Sequence, residues 1–119
     1  MHEFSLAEAL LVEVDRVRQE YGGGRLKAFR VEVGELAGVE PDLLAGAVEL
    51  LLADGPDRGA SLKLETIPVE VRCRECGEES RVRNFCFLCP RCGGGRLEVL
   101  RGEGLVLRDV VLERAEVVG

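Results

Sequence analysis

Two short motifs, Cys73-x-x-Cys76-Gly77 and Cys89-Pro90-x-Cys92-Gly93, stand twelve residues apart. Four thiolates at these spacings suit a tetrahedral metal site of the zinc-ribbon kind. The glycine after each second cysteine permits a sharp turn in which backbone N–H groups face the sulfurs. A site closed by four protein ligands has no open position for a substrate, so it implies a scaffold. Cys86 allows a second assignment, because Cys86 and Cys89 also share the C-x-x-C spacing. Pro90 would then follow the last ligand and could not donate to sulfur, which favours Cys89 and Cys92. Cys86 is then expected to be a small buried hydrophobe beside Phe85 and Phe87, with ligand exchange as its alternative role. Zinc is the expected metal. Iron of the rubredoxin type competes, but such a protein is nearly all knuckle, and here most of the chain lies outside the knuckles.

At 119 residues the chain makes one small domain, or one domain with a lobe too small to fold without metal. No apolar run is long enough to cross a bilayer, since Leu43 to Ala53 is interrupted by Glu49. Met1-His2-Glu3 lacks the basic start of a secretion signal, and the cysteine pattern suits a metal site in a reducing cytoplasm. A net charge of −6 argues against nucleic acid as a partner. The ribbon is locally basic, with Arg72, Arg74, Arg81, Arg83, Arg91 and Arg96, which keeps a zinc-ribbon nucleic-acid or protein-interaction module as the alternative reading. One histidine and no nucleophile with its base leave no catalytic constellation, so no enzymatic activity is expected. Glu35 and Glu40 could pass for paired carboxylates, but a loop cap and a helix N-terminal charge explain them better.

Ser5-Leu-Ala-Glu8 reads as a capping box that opens a helix. Leu6, Leu10, Val14, Val17 and Tyr21 follow at helical spacing, and Gly22-Gly23-Gly24 ends the run. Phe29, Val31 and Val33 alternate with charges as a strand. Pro41 opens a second helix that continues through Leu43, Leu44, Ala47, Leu50 and Leu51, and Asp54-Gly-Pro-Asp-Arg-Gly59 breaks it. Leu62, Leu64 and Thr66 form a strand ended by Pro68, and Val69 and Val71 lead into the first knuckle. A short strand is expected at 97–100, and a long one over 105–118 with Val106, Val110 and Leu112 on one face. The fold class is therefore α+β: two helices on a small sheet with an inserted zinc-ribbon lobe. The expected division is 1–70, completed by 104–119, for the α/β lobe, and 71–103 for the ribbon.

His2 is the only histidine. The Met1 amine and the His2 amide nitrogen close a five-membered chelate ring on one metal. The same amide nitrogen and the imidazole Nδ1 close a six-membered ring. Three coplanar nitrogens suit Ni(II) or Cu(II) better than zinc. The fourth position falls to the Glu3 carboxylate, to water or to a partner.

Met1-His2-Glu3-Phe4-Ser5-Leu6, then Val33-Gly34-Glu35-Leu36-Ala37-Gly38-Val39-Glu40-Pro41, then the four-cysteine ribbon, together resemble the HypA-type nickel metallochaperones of [NiFe]-hydrogenase maturation. The likeness runs over nearly the whole chain. It implies that His2 is the essential nickel ligand, with Met1 and Glu3 alongside, and that Cys73, Cys76, Cys89 and Cys92 hold structural zinc. It also implies two partners, a nickel-handling GTPase and the hydrogenase large-subunit precursor, with urease served in some relatives. The chain departs from the family in two places. It has no further histidine near the nickel position, and Cys86 lies outside the four-thiolate pattern.

Overall fold

A computed structural model describes residues 2–113. Its elements run α1 (His2–Glu20), β1 (Arg25–Gly34), a 3-10 turn (Glu35–Ala37), α2 (Pro41–Leu52), β2 (Ser61–Ile67), β3 (Glu70–Cys73), β4 (Glu79–Arg81), β5 (Leu97–Arg101) and β6 (Leu105–Glu113). The strands make two three-stranded sheets, ordered β2-β1-β6 and β4-β3-β5. The fold is thus α+β: two helices with small sheets and a four-cysteine cluster carried between β2 and β6.

The chain divides into two compact units. The first takes residues up to Glu32, then Val39–Glu65, then those from Val106 onward, and the second takes Val33–Gly38 and Thr66–Leu105. In the first unit, α1 packs on α2. Its core comprises Ala7, Leu10 and Val14 from α1, Leu44, Ala47, Val48 and Leu52 from α2, and Leu26, Phe29 and Val31 from β1. Central strand β1 is buried on both faces near its end, where Glu32 is only 7% exposed. That carboxylate accepts from Arg108 Nε at 3.0 Å, which offsets the cost of burying its charge. Arg30 pairs with Glu65 on β2 at 3.1 Å and with Asp109 on β6 at 2.6 Å, linking the three strands.

Four local expectations change. Helix α1 begins at His2, three residues before the predicted cap. Ser5 is therefore an exposed residue within the helix. Half-buried Phe4 and the acidic Glu3, favourable at the positive end of a helix dipole, extend it backwards. The buried stripe of α1 also runs through Ala7, Leu10 and Val14, leaving Tyr21 62% exposed. On α2, Leu43 and Leu50 face solvent while Val48 and Leu52 take the core positions. Along β6 the half-buried positions are Leu105, Leu107, Val110 and Leu112, a phase change at Arg108–Asp109, so Val106 is exposed. These two residues are the ones bonded to Glu32 and Arg30 of β1. The 114–118 part of the predicted strand lies outside the described residues.

In the second unit β3 is central, antiparallel to β4 and β5. Arg72 stands opposite Glu79 on one side and Glu98 on the other. Strand β4 went unpredicted because three residues carry too little alternation to be seen. Gly34 packs so closely on Gly102 that a Cβ would overlap the Gly102 carbonyl. Two backbone bonds hold the approach, Gly34 N–H to Gly104 O and Leu36 N–H to Gly102 O, both 2.9 Å. The Glu35 carboxylate accepts the Val69 N–H at 3.1 Å.

Candidate metal centre

The two knuckles are built alike. Gly77 N–H bonds Cys73 O at 2.9 Å, and Gly93 N–H bonds Cys89 O at 2.8 Å. Each turn closes with its glycine at positive φ, 79° and 76°, a conformation that L side chains disfavour. Strand β3 delivers Cys73 directly from the sheet, and Arg74 N–H bonds Arg96 O across to the second knuckle's exit at 2.8 Å.

These turns bring Cys73, Cys76, Cys89 and Cys92 together, with all four sulfurs within 4.8 Å of one another. Cys73 Sγ and Cys92 Sγ are 3.6 Å apart, and Cys76 Sγ and Cys89 Sγ 3.5 Å. A tetrahedron with Zn–S bonds of about 2.3 Å has edges of roughly 3.8 Å, so the cage fits zinc with little adjustment. Cys73 and Cys89 are buried, and Cys76 and Cys92 exposed. Amide N–H groups of Cys92 and Arg91, together with the neighbouring thiols, hold the Cys89 thiol down to about 7 against the effect of burial. Cys92 goes the other way: the Gly94 N–H lowers it, but its bond to Cys73, burial and the remaining thiols push it up to about 12. Cys76 is raised too, the lowering by the Glu78 N–H and by Cys92 being outweighed by burial and the contacts with Cys89 and Cys73. Thiols this close resist ionising together unless a cation shares their charge, as a divalent metal would.

Cys86 is outside the cage. It is exposed, as are Phe85 (69%) and Phe87 (38%), which corrects the expectation of a small buried hydrophobe. The tight turn from Arg83 to Cys86, with Asn84 and Phe85 at positive φ, leaves this segment too little packed surface to cover it.

The second predicted site lies in the first unit. Met1 is outside the described residues. His2 and Glu3 occupy the first turn of α1, where the His2 side chain is 61% exposed and its Nδ1 lies 3.6 Å from Glu3 Oε2. The Glu3 carboxyl is held below its ordinary value chiefly by its own backbone N–H, against burial, with further help from the Glu40 N–H and His2. Glu40 itself caps α2, its carboxylate accepting the Asp42 N–H at 3.4 Å. Glu35 and Glu40 are therefore both engaged with backbone, Glu35 through Val69, as the loop-cap reading required. The motif Val33-Gly34-Glu35-Leu36-Ala37-Gly38-Val39-Glu40-Pro41 holds loops and helix ends: a glycine contact, a carboxylate on a strand amide, a left-handed Gly38 and a capped helix start.

A small α+β protein that pairs a closed thiolate cage with an exposed histidine beside a carboxylate has the features of a metal-handling protein. The chain belongs to the HypA family, whose model, described as hydrogenase/urease nickel incorporation metallochaperone, matches residues 1–112. It is 35% identical to the hydrogenase maturation factor HypA of Nitrosospira multiformis, over 94% of this chain and 97% of that one. It is 39% identical to the HypA of Streptomyces avermitilis, over 92% of this chain and 86% of that one. The fold is that of the solution structure of the Ni metallochaperone HypA from Helicobacter pylori: TM-score 0.72 at 16% identity, covering 95% of this chain and 98% of that chain. A second HypA solution structure matches with TM-score 0.72 at 18% identity, covering 97% of this chain and 98% of that chain. No helix among the described residues is long and apolar enough to cross a membrane.

Proposed function

We propose that the chain binds one Ni(II) through the Met1 amine, the His2 amide nitrogen and the His2 Nδ1, with Glu3 alongside. It surrenders this ion during [NiFe]-hydrogenase maturation. The observation that carries the reading is the exposed His2 imidazole at the first turn of α1, its Nδ1 3.6 Å from the Glu3 carboxylate. The first N–H groups of a helix have no intrahelical acceptor. Nickel can therefore displace the His2 amide proton without breaking a ladder bond. Exposure of the ligands suits delivery, because an acceptor can replace them one at a time. The four cysteines are assigned to zinc as a permanent structural ion, which shapes the ribbon and takes no part in the transfer.

Two partners follow from this reading, a nickel-handling GTPase and the hydrogenase large-subunit precursor, and the setting is the cytoplasm. The protein carries a metal and performs no chemistry on a substrate bond. Calorimetric titration of Ni(II) into tag-free, zinc-loaded protein tests the site. We expect one tight site that is lost in His2→Ala and equally in a variant extended before Met1. Unchanged binding in both variants would rule out this donor set.

A further inference from the structure

Between the start of α1 and the length of α2 lies a cleft of about 450 Å³, lined by Phe4, Leu43, Gly46, Ala47 and Leu50, with Glu3 and Asp42 as its only charged residues among those described. Leu43 and Leu50 are 60% and 72% exposed. They stand seven residues apart, two helical turns along one face of α2, with Gly46 between them. A single exposed leucine is ordinary, but an apolar cleft with two exposed leucines on its wall is not. A Cβ built at Gly46 meets nothing within 4 Å, so neither packing nor backbone conformation demands a glycine there. Glycine is a poor helix former, and its presence at this position keeps the cleft open.

Among the described residues, the charged side chains that line the cleft have one sign. Glu3 and Asp42 line it, and no lysine or arginine occurs before Arg16 or anywhere along α2 to offset them. Complementarity therefore calls for an occupant that is apolar in the middle and basic at its edges. A second copy of this chain would bring the same acidic surface and be repelled. Glu3, proposed above to stand beside the nickel, lines the same cleft.

We infer that this cleft is the docking surface for the protein that takes nickel from His2. It receives a basic amphipathic helix of that protein, with apolar anchors at i, i+3 or i+4, and i+7. The inference rests on the nickel-delivery reading and adds the surface and the chemistry of its partner. Docking here sets the acceptor's ligands beside the exposed imidazole, so nickel passes between proteins without entering bulk solvent.

The test uses zinc-loaded full chain and the cognate hydrogenase large-subunit precursor. Leu50→Glu and Gly46→Leu are compared with the parent for precursor binding and, separately, for nickel binding by calorimetry. We expect precursor binding at least tenfold weaker in both variants, with nickel affinity within twofold of the parent and circular dichroism unchanged. A photo-crosslinking residue placed at Leu50 should capture a segment of the precursor rich in lysine or arginine. Equal precursor binding by parent and variants, no binding by the parent, or capture of an acidic segment or of a second copy would each overturn the assignment. Loss of the nickel site from the parent itself would sink the delivery reading instead, and the calorimetry reads that independently.

Discussion

Asp57, in the loop after α2, accepts two guanidinium contacts from Arg18 of α1, at 2.7 and 3.0 Å, and the Leu26 N–H of β1 at 2.9 Å. One carboxylate thus joins three segments, and it is buried. The Gly-Pro-Asp-Arg-Gly string reads only as a helix breaker, because nothing local announces a partner 39 positions away. Removing one member of a buried pair leaves the other charge uncompensated, so Asp57→Ala should cost about 3–5 kcal/mol of stability. Urea denaturation of the two proteins at neutral pH checks this. Arg18 holds the Asp57 carboxyl below its ordinary value, with the Leu26 N–H assisting and burial opposing. A depressed folded value contributes stability that is fully present above the unfolded carboxyl value of about 3.9 and is lost as pH falls through the folded value. The parent's acid unfolding below about pH 4 should therefore be partly flattened in Asp57→Asn, as a pH series of denaturation midpoints would show. By contrast, the four clustered cysteines were legible as a group from spacing and the need for a free N–H after the last ligand. The surroundings of Cys86 were not, because local spacing says nothing about what covers a loop.

Helices and strands were visible wherever a hydrophobic period ran long enough. Helix α2, β1 and β2 lie where period and punctuation placed them, α1 does so apart from its earlier start, and Pro68 separates β2 from β3. The faces were less legible than the elements. Period alone cannot say which of several leucines on α2 meets α1, and Leu44, Val48 and Leu52 take the inner positions. Gly46 and Gly34 make opposite predictions at this scale. With open space around its Cβ position, Gly46→Ala should raise stability by up to about 1 kcal/mol through helix propensity alone. Gly34→Ala forces a methyl into the Gly102 carbonyl and should lower it by about 1–3 kcal/mol, although its φ of −70° suits alanine well. Thermal midpoints of the two variants moving in opposite directions would confirm both; a destabilised Gly46→Ala would show that the cleft carries hidden strain.

For the molecule as a whole, the two units rest on different physics. The first has an apolar core drawn from both helices and β1. The second has only a small apolar core, including Val33, Val69 and Val71, and relies on a metal to hold its knuckles. Structural zinc sites bind with apparent energies of about 10–16 kcal/mol, comparable to the whole stability of a domain. Stripping the metal with a chelator should therefore abolish hydrogen-exchange protection in Thr66–Leu105 while leaving protection in α1 and α2. Protection lost evenly along the chain would mean that the first unit cannot stand alone.

The sequence by itself determined both helices and the longer strands, the α+β class, the thiolate spacing and the family, because all of these depend on order and distance along one chain. Only the tertiary structure decided which faces are buried, which carboxylates are tied to backbone, and that His2 stands on a helix beside Glu3. It alone placed an acidic apolar cleft against that helix start. These depend on contacts between residues far apart in sequence, where burial and charge pairing are set by the neighbour and not by the residue.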